Sequence, residues 1–260
     1  TNITINNNIT TVIASGTTIT QAAEGITINS SGANYAGALL GLSGAASSVG
    51  GALTIGTAGA VIGAESGATL NLIGGVAAAA NAWVTNPRGT GVINFGTDPI
   101  VSTGQYTQFG TGTVNFNVAS TGMTGGIDVR SGNLNVNGVT LGGTGTVTLR
   151  SSGKLTVVKG AATDNLMGAN RPLTLQGGEL VLNATAATTA GPETFGAVNI
   201  AGRGANVITV IPSATVGGTV VLGALGGRAA NGTTILFRAA GMSSTGPSAA
   251  ANVGAVRSTG

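Results

Sequence analysis

Apolar and polar residues alternate along this chain in short pieces bounded by glycine, asparagine or serine. Ile3-Thr-Ile5, Ile26-Thr-Ile28, Leu53-Thr-Ile55, Leu70-Asn-Leu72, Ile93-Asn-Phe95 and Val114-Asn-Phe116 share one form: apolar, polar, apolar. The series continues through Ile127-Asp-Val129, Leu134-Asn-Val136, Val147-Thr-Leu149, Leu155-Thr-Val157, Leu173-Thr-Leu175 and Val198-Asn-Ile200. Leu180-Val-Leu182 and Val220-Val-Leu222 are wholly apolar variants. A period of two sends neighbouring side chains to opposite faces, so most of these pieces predict half-buried strands.

Helical patterning is almost absent. No long window carries apolar residues at helical spacing without glycines inside it, and each interior glycine costs about 1 kcal/mol relative to alanine. Ala77-Ala-Ala-Ala80 with Ala82 and Trp83 is the one helix-like fragment, with Asn86-Pro87 as its stop signal, and it predicts at most a turn or two of helix.

Short strands at this spacing fit either a sandwich of hairpins or a solenoid of stacked coils. Only Asn137-Gly138 and Asn231-Gly232 carry the Asn-Gly hairpin signal, too few for an antiparallel meander. Single-glycine corners suit a coil that keeps turning the same way. The expectation is an all-β, right-handed parallel β-helix, a β-solenoid, running as one continuous unit over residues 1–260. Coils of about 20 residues stacked at about 4.8 Å would number roughly 13 and span about 60 Å.

Composition supports this picture and narrows the function. Aromatics make up 3% of the chain against 42% hydrophobic residues, which predicts a core of Val, Ile, Leu and Ala, with outward Thr and Asn forming ladders between coils. Glycine and proline, 47 and 6 residues, stay below the share at which an aperiodic chain is disordered. Only 7% of residues are charged. The sequence pI is near 10.0, but Arg88, Arg130, Arg150, Lys154, Lys159, Arg171, Arg203, Arg228, Arg238 and Arg257 are dispersed, and no nucleic-acid partner is expected. There is no cysteine, which excludes disulfides and thiolate metal sites and suits export. No stretch approaches 18 apolar residues, so no embedded membrane segment is expected. The chain opens at Thr1 in the middle of a strand pattern and closes at Arg257-Ser-Thr-Gly260 without a cap, which reads as a segment of a larger exported protein.

Residues 125–138, Gly-Gly-Ile-Asp-Val-Arg-Ser-Gly-Asn-Leu-Asn-Val-Asn-Gly, are followed by Leu141-Gly-Gly-Thr-Gly-Thr-Val-Thr-Leu149 and Gly153-Lys-Leu-Thr-Val157. This run resembles the autotransporter-associated β-strand repeat, in which a Gly-rich turn and a strand accompany GxLxV and GTGxVxL strands. The resemblance covers residues 108 to 183, with Gly110-Thr-Gly-Thr-Val-Asn-Phe116 and Leu173-Thr-Leu-Gln-Gly-Gly-Glu-Leu-Val-Leu182 as further pieces. It implies export, bacterial surface display and an extended β-helix, and it implies no chemistry. Residues 1–107, with Ala-rich insertions at 36–46 and 76–83, fit the repeat less well; residues 207–238 look like the irregular coils that follow such repeats.

Histidine is absent, which excludes Ser-His-Asp and Cys-His catalysis and His-ligated metals. Polysaccharide-active β-helices need clustered carboxylates. Glu24, Glu65, Asp98, Asp128, Asp164, Glu179 and Glu193 are well separated in sequence, and Asp128 beside Arg130 reads as a solvated surface charge, although a carboxylate a coil or two away remains a conceivable partner. No catalytic, cofactor-binding or metal-ligating residue is therefore assigned, and no enzyme activity or cofactor is expected. The glycine runs at 142–145 and 223–227 lack the following helix of a phosphate loop and read as corners. Trp83, Tyr35 and Tyr106 are too scattered for a sugar-stacking platform. Thr17–Thr20 and Thr144–Thr148 are too irregular for an ice-ordering array, and the sequons at Asn2, Asn8, Asn183 and Asn231 are what an Asn/Thr-rich chain yields by chance.

The leading functional expectation is a structural stalk or filament subunit at the cell surface or outside the cell, self-associating through the solenoid ends. The alternative is an adhesin binding surface glycans in a lateral groove lined by residues 31–50 and 76–90. A polysaccharide-active enzyme ranks third, because it requires two carboxylates close together on one face.

Overall fold

A computed structural model of the chain describes residues 3–6, 9–20, 25–160, 165–168, 170–188, 191–202, 204–226, 233–241 and 253–258. Parallel strands stack as a β-solenoid of about 9 turns, whose first coils visit three faces in order. The first face holds Ile3–Ile5, Ile26–Ile28, Leu53–Ile55, Val76–Ala79 and Ile100–Ser102. The second begins with Thr11–Ile13, Leu39–Gly41, Ala60–Ala64, Trp83–Pro87 and Tyr106–Gln108. The third begins with Thr18–Ile19, Ser47–Val49, Thr69–Leu72, Val92–Phe95 and Thr113–Phe116. From residue 127 the second and third faces join: Ile127–Asn137 and Val147–Val158 each run around the corner as one bent strand. The first face thins there to single bridges, Ser102 with Met123 and Ser120 with Leu141. Further on, Pro192–Ile200, Gly218–Leu222 and Gly254–Ser258 extend the ladder.

The expected 13 coils are corrected by the register. Ile127 faces Val147, 20 residues on, as expected for the repeat region, but Ile26 faces Leu53, 27 on, and Ile208 faces Phe237, 29 on. The extra residues sit between the strands, so a coil lengthens without changing its ladder. At about 4.8 Å per coil the rod is about 43 Å long.

The helix expected at residues 77–83 is also corrected. Val76–Ala79 and Trp83–Pro87 are strands. Val76 lies between Leu53 and Ile100, and a helix there would break the hydrogen bonds of two neighbouring coils, so the ladder overrides the alanines' preference. Among the described residues the helical content is the 3₁₀ turn Ala33–Tyr35.

Inside, one aliphatic core runs from Ile5 to Leu222. Aromatic rings depart from the aliphatic expectation at Phe195 and in two successive coils. Register stacks Trp83 on Tyr106 and Phe95 on Phe116, and all four rings are fully buried with centroids 4.6 to 5.8 Å apart. Such contacts add about 0.5–1.5 kcal/mol each beyond area burial. Their polar tips are satisfied: the Trp83 indole donates to the Ser102 hydroxyl at 3.3 Å, and the Tyr106 hydroxyl bonds that of Thr85 at 2.7 Å.

Corners require glycine where coil meets coil. A Cβ on Gly125 would lie 2.0 Å from the Gly104 carbonyl oxygen, and Gly132 combines a φ of +71° with a similarly close approach to Gly110. Outside, the predicted ladder is present on the third face. Asn135 donates to Asn115, Asn115 to Asn94 and Asn94 to Asn71, each at 2.8 Å. Each side-chain amide of this row thus bonds the coil before it. The outward threonines on the first face, Thr4, Thr27 and Thr54, extend over three coils, giving way to Ala77 and Val101.

Candidate binding groove

Register on the second face lines up Val84, Thr107 and Asp128 on the outer side. Val84 and Thr107 form part of a groove of about 430 Å³, completed by Gly59, by Tyr35 and Phe109, and by Arg130. Tyr35 is 62% exposed and Phe109 53%, whereas Trp83, Phe95, Tyr106, Phe116 and Phe195 are buried.

Tyr35 belongs to the insertion between the first and second faces. Asn34 has φ 52° and Tyr35 φ 56°, both left-handed. Asparagine tolerates this; a tyrosine costs about 1–2 kcal/mol there, so surrounding bonds must hold the turn. Asn86 supplies one, its side-chain amide donating to the Tyr35 carbonyl at 2.5 Å, and the Ala33 amide donates to the Thr10 hydroxyl at 3.0 Å. Phe109 is fixed from both sides, its amide donating to the Thr85 carbonyl at 2.9 Å and its own carbonyl accepting from the Ser131 hydroxyl.

The cationic end is a three-charge cluster. Arg130 donates through Nε to Asp128 Oδ2 at 2.9 Å, while Arg150 donates through Nε and Nη2 to the same carboxylate and through Nη1 to Gln176. The Asp128 side chain is 1% exposed, against 48% for Arg130. Its hydrogen bond to Arg150 holds that guanidinium above its usual pKa, outweighing desolvation. Two guanidinium groups on one carboxylate leave the cluster net positive. The surface-charge reading of Asp128 is therefore corrected: the arginines bury it.

Elsewhere charged side chains bond between coils. Glu193 accepts from the Leu166 and Met167 amides and lies 3.8 Å from Lys159, with both side chains buried. Glu179 accepts from the Thr209 hydroxyl and lies 3.8 Å from Lys154. Arg171 is buried without a carboxylate partner among the described residues. Its Nη2 lies 2.6–3.0 Å from the carbonyl oxygens of Met123, Gly125 and Gly142, and its Nε lies 3.2 Å from that of Gly143. Desolvation lowers its pKa to about 10. The glycine run at 142–145 is thus a corner gripped by an arginine.

Asp128 faces Thr107 and Thr148 in the ladder, not a second acid. Glu24, Asp164, Arg203, Arg228, Asn2, Asn8 and Asn231 lie outside the described residues. Among the described residues no three acidic side chains gather as a metal site. Trp83 and Tyr106 come together, but inside the core, leaving Tyr35 alone of the three at the surface. The Asn183 side chain accepts from the amide and hydroxyl of Thr185, an ordinary polar turn. The groove falls partly within the expected insertions, through Tyr35 and Val84. Phe109 and Arg130 were not anticipated; their positions follow only once the coil register is known.

Compared with models of protein families, with curated protein sequences and with solved structures, the chain matches none. The repeats at 108–183 are consecutive coils of a β-helix, and no family model identifies them as autotransporter-associated repeats. No helix among the described residues is long and apolar enough to cross a membrane.

Proposed function

We propose that this protein is a structural rod of the bacterial cell surface or extracellular space, serving as a stalk or as the repeating unit of a filament. The observation that carries this reading is the parallel ladder that links coil to coil on the second and third faces. Among the described residues successive coils pair strand on strand, the asparagine side chains repeat the arrangement outside from Asn71 to Asn135, and one buried core runs from Ile5 to Leu222. Such a body extends by adding coils, whether of the same chain or of a second copy, and its edges favour stacking over exposure to water.

Electron microscopy of the native protein at high concentration tests the assembly. Long uniform fibres with a repeat of one subunit support the filament; isolated short rods at every concentration refute it and leave the stalk. Protease shaving of intact cells tests the location, since recovery of the protein only inside the shaved cells would overturn surface display.

A further inference from the structure

We infer that the groove between Tyr35 and Phe109 binds an acidic saccharide, with a sugar ring laid against the aromatic side chains and its carboxylate taken by Arg130. This inference does not rest on the rod reading, which involves the ladder and not this surface.

Three observations lead to the ligand class. Tyr35 and Phe109 are held at the surface by bonds that fix their backbones, and Tyr35 is held in a conformation that its own preference opposes. Strain maintained by neighbouring bonds marks a position kept for contact. An exposed aromatic face suits the C–H face of a sugar, and the Thr107 hydroxyl on the floor offers a partner for a ring hydroxyl. Arg130 uses only Nε toward Asp128, so its terminal nitrogens remain as donors in a locally cationic cluster, while the one nearby carboxylate is buried beneath the arginines. That charge selects an anion.

An extended peptide fits the same groove poorly. Trp83–Pro87 and Tyr106–Gln108 are bonded into the ladder on both sides, so no free strand edge is offered for main-chain pairing. The volume of about 430 Å³ is within the range of small-ligand clefts.

The test is calorimetry and saturation-transfer NMR with a glucuronic acid–N-acetylglucosamine disaccharide, a neutral chitobiose and an acidic tetrapeptide. Saturable binding of the acidic disaccharide is expected, weakening about ten-fold in Tyr35→Ala and in Phe109→Ala. Arg130→Gln reduces it to the level of the neutral sugar. Arg88→Gln, an exposed cation outside the groove lining, leaves it unchanged, and Thr107→Trp blocks it by filling the floor. Far-UV circular dichroism and melting confirm that each variant is folded. The inference is overturned by absence of saturable binding, by equal affinity for the neutral sugar, by equal losses in Arg88→Gln and Arg130→Gln, or by competition from the tetrapeptide.

Discussion

Replacing Arg171 with leucine tests whether a buried cation can hold a solenoid corner. The substitution leaves the carbonyls of Met123, Gly125, Gly142 and Gly143 without the guanidinium. Stranding a buried acceptor costs about 1–3 kcal/mol, so four at about 1.5 kcal/mol come to about 6 kcal/mol. Against this stands relief of a desolvated charge: a pKa lowered from 12.5 to about 10 corresponds to about 3 kcal/mol. The expected net loss is about 3 kcal/mol, read from urea unfolding. Hydrogen exchange localises it, with amides at residues 120–145 losing protection before those of the aromatic coils. Arg171→Lys keeps the charge but not the planar fork and falls between the two. A leucine variant as stable as the parent, or more so, would refute the reasoning, because it would mean that the charge costs more than its contacts with the four carbonyls return.

Tyr106→Phe should alter the pH dependence of stability. Burial raises the Tyr106 pKa above its usual 10.0, outweighing the hydrogen bond with Thr85, so above pH 10 the unfolded chain loses a proton that the folded one keeps, and stability falls as pH rises. The phenylalanine variant is about 1 kcal/mol less stable at neutral pH, with the Thr85 hydroxyl unpaired, but its decline above pH 10 is shallower, as melting between pH 8 and 11 will show. Gly125→Ala should separate neighbouring coils, because the added carbon meets the Gly104 carbonyl backbone instead of a movable side chain. A loss of at least about 2 kcal/mol in urea unfolding is expected, and a neutral result would mean that the corner yields easily.

The strands were legible because Val, Ile and Leu at a period of two carry the signal within three residues, as in Leu53-Thr-Ile55 and Leu155-Thr-Val157. Coil length was not, because the residues that stretch a coil from 20 to as many as 36 lie between ladder partners and carry no period of their own. Everything depending on that length was hidden with it. Trp83 and Tyr106 look scattered until a step of 23 residues superposes them. Arg130 and Arg150 look dispersed until a step of 20 brings both onto Asp128. The Ala-rich stretch misled in the opposite direction, since local preference says nothing of strands waiting above and below. For the groove, the sequence offered the insertion but not the left-handed turn, because tyrosine is not a residue that announces one.

The varied coil lengths have a mechanical consequence. In a parallel solenoid the hydrogen bonds between coils point along the rod, so tension applied between its ends loads one coil's set of bonds at a time. Failure then proceeds as peeling, each event releasing one coil of slack. A coil of 20 residues frees about 70 Å of chain and one of 29 about 100 Å. Pulled as a tether, such a rod would lengthen in unequal steps that report the order of its coils, absorbing sudden loads by yielding locally while the remaining core keeps its shape.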